Sequence, residues 1–419
     1  MTGRRRPSPR VEILSVGEEL LGGDRREGNA EYLAGRFGEG GFRVRYKTTV
    51  GDDPAEIVPV LRRALERVEV VVATGGLGPT MDDRTVEAVA EAFHAPWSVP
   101  GPLLRRLLRR AAGRHGGLPA VRRQARVPRG FRAVPNPVGT APGLIRFRDG
   151  KAVVLLPGVP GEARGLFEAS MLPWLRRRFR TRSRPPWRVL RIAGLPEPRV
   201  DRAAAAVFRR EGTGIPTVLS DADGVAVRLG PAGSPVTRRI ERSLRRTLGA
   251  AVVGGDGETL EGSVGGRLRL RRATVATAES CTGGMLGERI SSLPGASRYF
   301  RGGIVAYQRG TKESSLGIPR SLVRRRGPVS SAVAARMARE VRRRFGADFG
   351  LSITGIAGPG GGTPEHPVGE VFIGLAGGAG VRVRRFRFRG DRQRVRRRAC
   401  AAALDLLRRR LIREGGRQG

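Results

Sequence analysis

Thr277-Ala278-Glu279-Ser280-Cys281-Thr282-Gly283-Gly284, with Tyr307 and Lys312 downstream, is the stretch whose reading decides the rest of the chain. The run Thr274 to Ala278 predicts a strand, the glycine pair a turn, and Gly283 to Leu293 a helix. That order sets Ser280 near a helix N-terminus, where backbone N–H groups of Thr282, Gly283 and Gly284 are expected to hold an oxyanion. A plainer reading makes Ser280 or Thr282 only the helix cap. A cap needs no lysine, however, and this chain is sparing with lysine. Among 79 basic residues there are three: Lys47, Lys151 and Lys312. Arginine does not give up its proton in a protein, whereas a desolvated lysine can. A serine needs a base to become a nucleophile, and a Ser–Lys pair is one solution. Lys47 and Lys151 read as surface lysines.

Working outward, strand and helix patterns alternate in the last segment. Gly302 to Tyr307 and Ala347 to Thr354 read as strands, with a long helix between them over Val329 to Phe345. The second strand runs into Ser352-Ile353-Thr354-Gly355-Ile356-Ala357-Gly358-Pro359-Gly360-Gly361-Gly362-Thr363. So many glycines directly after a strand suit close backbone approach to a phosphate or a planar ring. Thr354, Gly355, Gly358, Gly360, Gly361 and Thr363 are therefore candidate substrate contacts. No Gly-Lys-Ser/Thr follows, so this is not a P-loop. A hairpin, Val368 to Leu375 and Val381 to Phe388, and a helix from Asp391 to Ile412 close the chain.

The N-terminal half repeats the logic. Val11 to Val16, Phe42 to Val50 and Val68 to Ala73 read as strands, with helices over Asn29 to Phe37 and Pro54 to Arg67. This βαβα order predicts a parallel sheet covered by helices. The third strand ends in Thr74-Gly75-Gly76-Leu77-Gly78-Pro79-Thr80, followed by Asp82-Asp83 and Thr85. Gly75, Gly76, Gly78 and Thr80 suit an anion, and the paired carboxylates suit a divalent metal or a helix cap. Gly17 and Asn29 fall at the same carboxyl edge, where parallel sheets bind ligands. Between the halves, Trp187 to Gly194, Asp201 to Arg210, Gly224 to Leu229 and Pro235 to Leu248 read strand, helix, strand, helix. This small α+β module carries no chemical constellation and reads as a connector. The expected divisions are a basic tail over 1–10 and domains over 11–175, 187–253 and 258–415.

Composition narrows the function classes. A chain of 419 residues is expected to form about two or three domains. No apolar run approaches the ~20 residues of a membrane helix, and no apolar segment follows the basic tail, so a cytoplasmic protein without signal peptide is expected. Two cysteines, Cys281 and Cys400, suit a reducing compartment. His94, His115 and His366 lack zinc-ligand spacing. The net charge of +41 raises a nucleic-acid-associated competence or repair role as the alternative class. The arginines, though, are spread along the chain on apparent helix faces, and aromatics are 5%. Any nucleic-acid binding is expected to be weak and non-specific.

These motifs together resemble the CinA family (competence/damage-inducible protein A) over roughly residues 11–412. The Gly75 to Thr85 segment, Gly139-Thr140-Ala141-Pro142-Gly143, Leu156-Pro157-Gly158-Val159-Pro160, the Glu279 to Gly284 segment and the Gly355 to Gly369 loop carry the resemblance. It implies an α/β fold with a molybdopterin-binding-like three-layer N-terminal domain, a small α+β middle domain and a C-terminal α/β amidase domain. It further implies deamidation of nicotinamide mononucleotide to nicotinate mononucleotide and ammonia, with Ser280, Tyr307 and Lys312 at the catalytic positions and no cofactor. For the N-terminal domain it implies the metal-dependent ADP-ribose pyrophosphatase activity credited to some members, for which the paired carboxylates Asp82 and Asp83 are this chain's candidate metal ligands, and a homodimer as the assembly. The chain departs from the family at His366, where lysine is usual, at Gln308-Arg309, and at Gly194-Leu195-Pro196-Glu197-Pro198. The expected mechanism is attack by Ser280 on the carboxamide, with Lys312 as base and Tyr307 bonded to one of the two.

Overall fold

The computed structural model describes residues 7–111, 117–183 and 185–415. The first six residues of the basic tail, and His115, lie outside them. The chain divides into two compact units, Met1–Pro186 and Trp187–Gly419. Among the described residues, no helix is long and apolar enough to cross a membrane.

The first unit is built on a six-stranded sheet. Its spatial order is Arg43–Val50, Arg10–Val16, Val70–Thr74, Lys151–Leu156, Gly143–Arg148 and Arg132–Val134. The first four strands are parallel. Gly143–Arg148 pairs antiparallel with both its neighbours, and its hairpin with Lys151–Leu156 turns at Asp149-Gly150. Alternation along the central strands buries both faces. Ile13, Val72 and Val154 pack with Leu33, Phe37 and Phe167, while Leu14, Val71 and Val153 pack with Leu61, Ala64 and Val89. The result is three layers. The helix Pro54–Arg67 starts where the sequence signals it: Asp53 accepts from Ala55 N at 3.0 Å, and proline follows at the first helical position.

The second unit holds two sheets. The smaller, in spatial order Thr217–Ser220, Val225–Pro231, Trp187–Ile192 and Val252–Gly255, is antiparallel throughout. Its helices Glu197–Arg210 and Pro235–Leu248 make the connectivity βαββαβ, a ferredoxin-like module. Sequence reasoning saw four of these six elements and missed Thr217–Ser220 and Val252–Gly255, which are too short and too weakly apolar to stand out.

The larger sheet runs Phe300–Val305, Val275–Glu279, Phe349–Gly355, Glu370–Gly377 and Gly380–Arg387. The first three strands are parallel. The helices Leu260–Leu270 and Arg392–Gly415 cover one face through Val264, Leu268, Ala399 and Leu404. Ser331–Arg344, capped by Ser330, covers the other through Val333, Met337 and Val341. The two sheets share a buried linkage. Arg408, fully enclosed, donates to Asp405, to Val252 O at 3.0 Å and to Ala250 O at 2.5 Å.

Candidate active site

Parallel strands end on the same side of a sheet, so the larger sheet brings its three C-terminal loops together. Ser280 follows Val275–Glu279, Ala306 and Tyr307 follow Phe300–Val305, and the glycine loop follows Phe349–Gly355. Two backbone bonds pin the junction: Ser280 N donates to Ile353 O at 2.9 Å and Ala306 N to Glu279 O at 2.7 Å.

Lys312 enters this junction from the helix Arg309–Leu316, an element the sequence reading did not foresee. Its side chain is 2% exposed, and Ser280 is 6% exposed. Lys312 Nζ lies 2.9 Å from Ser280 Oγ and 3.0 Å from Ala306 O. Among the described residues no carboxylate bonds this amine, and burial pushes its pKa below the ordinary lysine value. The neighbouring Cys281 thiol is pushed up to about 11, chiefly by burial, so it stays protonated near neutral pH. The buried pair therefore consists of a hydroxyl and an amine biased toward neutrality.

The oxyanion donors differ from the sequence expectation. Gly283 N donates to Ser280 O at 3.0 Å, and Gly284 N donates to the Glu279 carboxylate at 3.1 Å. Glu279 also accepts from Leu286 N at 2.9 Å and Gly287 N at 2.8 Å. It is buried and caps the helix Met285–Ser291 from the residue before the nucleophile. Gly283 and Gly284 are therefore not oxyanion donors. Their φ values of 57° and 93° instead turn the chain where a side chain would be strained. Among the described residues, the N–H groups of Cys281 and Thr282 donate to no backbone carbonyl, which leaves them as the candidate donors to an oxyanion.

Tyr307 is half-exposed, and its hydroxyl bonds Arg392 rather than Ser280 or Lys312. Arg392 also donates to Gly358 O at 2.8 Å, so one guanidinium ties Tyr307 to the glycine loop. Arg396, one turn on, donates to Thr282 O at 2.7 Å. Sequence reasoning had passed over both arginines as part of a charged helix face. Thr354 is enclosed, and its hydroxyl donates to Pro328 O at 2.9 Å, so it holds a neighbouring loop instead of facing a ligand. At Gly355 an added Cβ would lie 2.6 Å from Glu370 O. Gly360 borders open space, while a Cβ at Gly361 would lie in ordinary contact with Ile356 at 3.9 Å. Thr363 accepts from His366 N at 3.0 Å, and His366 Nδ1 meets the buried Glu370 carboxylate at 2.6 Å. The histidine that replaces the family's lysine thus has an acidic partner.

In the first unit, Gly75, Gly76, Gly78, Asn29, Gly17, Asp82 and Asp83 all line one cleft of about 410 Å³ at the carboxyl edge of the parallel strands. The turn needs its glycines: a Cβ at Gly75, whose φ is 102°, would lie 2.1 Å from Val16 O. Thr85 Oγ1 closes the turn on Gly75 O at 2.8 Å. Thr80 bonds Asp83 through both its N–H and its hydroxyl, and neither aspartate caps the helix Thr85–Ala92. Asn29 donates to Gly158 O at 2.9 Å, while its buried Oδ1 has no partner among the described residues. A buried acceptor without a protein partner at a cleft wall is free to meet a polar group that enters the cleft. The expected metal fits poorly. Among the described residues no group of three or more His, Cys, Asp or Glu side chains could hold an ion, and Asp83 is already engaged by Thr80.

A buried serine–lysine pair at the edge of a parallel sheet, joined to a second α/β unit with a glycine-turn cleft, defines a two-unit class of protein that comparison identifies. Residues 257–411 match the CinA C-terminal domain, and residues 12–177 match the "Probable molybdopterin binding domain". A CinA-like protein of Thermosynechococcus vestitus is 42% identical over 414 residues, covering 96% of this chain and 99% of that protein. A CinA-like protein of Frankia casuarinae is 44% identical over 420 residues, covering 96% of each. The chain belongs to the CinA family. A crystal structure of the protein CinA with unknown function from Thermoplasma acidophilum is 36% identical and covers 40% of this chain and 98% of that one, with a TM-score of 0.38.

Proposed function

We propose that the second unit hydrolyses the carboxamide of nicotinamide mononucleotide, giving nicotinate mononucleotide and ammonia through an acyl-enzyme on Ser280. The observation that carries this reading is the 2.9 Å contact between Lys312 Nζ and Ser280 Oγ, enclosed and without a carboxylate beside the amine. The choice of substrate rests on the family resemblance.

With Lys312 neutral, an Nζ–H donates to Ala306 O and the nitrogen lone pair accepts the Ser280 hydroxyl proton. Oγ attacks the carboxamide carbon as that proton moves to Nζ, and the N–H groups of Cys281 and Thr282 take the oxyanion. Collapse breaks the C–N bond, and Lys312 returns the proton to the departing ammonia. Water then attacks the ester with Lys312 again as base, releasing nicotinate mononucleotide and restoring Ser280. Tyr307 and Arg392 border the approach and position the substrate.

The test is ammonia release from nicotinamide mononucleotide, with and without added divalent metal. Ser280→Ala is expected to abolish it while circular dichroism stays unchanged. Near-normal turnover by that variant removes Ser280 as nucleophile.

For the first unit, the orphan Asn29 Oδ1 beside the glycine turn supports binding of a small polar nucleotide, ADP-ribose in the family reading. Asp82 and Asp83 line the same cleft, but they do not make a metal site by themselves, and a divalent ion there would have to take most of its ligands from phosphate and water. Intact ADP-ribose after incubation with magnesium, manganese or cobalt rejects pyrophosphatase activity for this chain.

A further inference from the structure

The ferredoxin-like module has one face covered by its own two helices, its strand Val252–Gly255 packs through Val253 into the core of the larger sheet, and the other face is open over the remaining three strands. Leu190, Ile192, Val225, Val227 and Leu229 point inward and form a core with the helices Glu197–Arg210 and Pro235–Leu248. Alternation sends Trp187, Val189, Arg191, Ala226 and Arg228 to the other side. Register makes them neighbours: Arg228 lies opposite Val189, Ala226 opposite Arg191, and Trp187 opposite Pro231 across a bulge. The edge strand adds Thr217 beside Arg228 and Leu219 beside Ala226, with Ile215 just before it.

This face is not furnished like an ordinary solvated surface. Trp187 is 59% exposed, Leu219 53% and Ile215 94%. Arg191 is paired with Asp221 at 3.1 Å, but Arg228 has no ion-pair partner among the described residues. An exposed indole and an unpaired guanidinium therefore share one open sheet face, in a chain of net charge +41.

We propose that the open face of the 187–255 sheet binds single-stranded nucleic acid, with a base stacked on Trp187 and backbone phosphates at Arg228. Sheet platforms of this kind recognise single strands because every unpaired base has a flat face to stack on an aromatic ring, whereas duplex bases are hidden. The face offers one aromatic and few hydrogen-bonding side chains, so binding is weak and insensitive to sequence. The site lies on a different sheet from Ser280 and is independent of the amidase reading.

The experiment is fluorescence anisotropy of the full chain with labelled oligouridine, oligodeoxythymidine and a duplex of equal length, each about ten nucleotides to match a single-strand site. Single strands should bind more tightly than duplex, and the two single-strand arms distinguish RNA from DNA. Trp187→Ala should weaken binding at least ~5-fold, the low end for losing one base–aromatic stack. Arg228→Gln should lower the slope of log K against log salt by ~0.7, one phosphate contact on a single strand. Both variants should release ammonia from nicotinamide mononucleotide at the parent rate, since both residues lie on a different sheet from Ser280. Duplex binding as tight as single-strand binding, or unchanged affinity in both variants, overturns the proposal. So does a parent that binds none of the three strands and whose dimers dissociate in sedimentation on Trp187→Ala, for that result gives the face to a second copy of the chain.

Discussion

Replacing Lys312 with arginine separates a base from a charge. The amine sits 2.9 Å from Ser280 Oγ and 3.0 Å from Ala306 O, with 2% of its surface exposed. Arginine keeps the positive charge but cannot accept the serine proton. General-base catalysis contributes about 10²–10⁴-fold, so Lys312→Arg should lower kcat by at least ~100-fold, equivalent to about 2.7 kcal/mol of barrier. KM should move far less, because the enclosed amine contacts Ser280 Oγ and Ala306 O and is only 2% exposed. Burial lowers the lysine pKa from its ordinary 10.5, so the neutral, competent fraction grows as pH rises. The parent kcat should therefore climb with pH and level off below 10.5. The assay is ammonia release at saturating substrate across pH, with circular dichroism to confirm folding. Because a guanidinium is bulky for this site, Lys312→Met is the companion variant: it fits the space, has no charge, and should be equally inactive. An arginine variant that turns over within about tenfold of the parent would show that Lys312 supplies charge, and the base assignment would fall.

Glu279→Gln should reduce kcat roughly tenfold to a hundredfold with little change in KM, because the carboxylate that occupies the Gly284, Leu286 and Gly287 amides fixes the turn that frees the Cys281 and Thr282 donors. Glu279→Ala should also lose roughly 1–3 kcal/mol of stability in denaturant titration through unsatisfied buried amides. For Lys312 the sign of the pH linkage is definite: between its depressed folded pKa and 10.5 the unfolded chain holds the extra proton, so unfolding free energy rises with pH across that window. Chemical denaturation at several pH values should show this slope in the parent and lose it in Lys312→Met, and identical slopes contradict the depressed pKa. The double change Asp82→Asn with Asp83→Asn should leave ammonia release unaltered and abolish any ADP-ribose cleavage; loss of both activities would mean the aspartates matter for folding instead.

Residue types were legible in this sequence where chemistry restricts them, and contacts were not. Lys312 stood out because arginine was used almost everywhere else, and no neighbouring pattern was needed to notice it. The glycine turns stood out because a Cβ at Gly75 would collide with Val16 O, a constraint that leaves glycine in the sequence. The direction of a backbone N–H leaves no such mark. Thr282, Gly283 and Gly284 were equal candidates for an oxyanion until the Glu279 side chain was seen to occupy the Gly284 amide. Glu279 itself was hidden in plain view, since a glutamate ending a strand reads as solvent-facing unless its helix-capping role is known. Tyr307 differs for a related reason: the family resemblance implied a bond to Ser280 or Lys312, but the strand Phe300–Val305 ends before it, and the chain aims the ring at Arg392, some 85 residues away in sequence. The same applies to Arg392 and Arg396, two arginines among many until the fold sets them beside the nucleophile turn. In a chain this rich in arginine, charge marks no position by itself, and only the fold separates the guanidinium groups that border the site from those that merely face water.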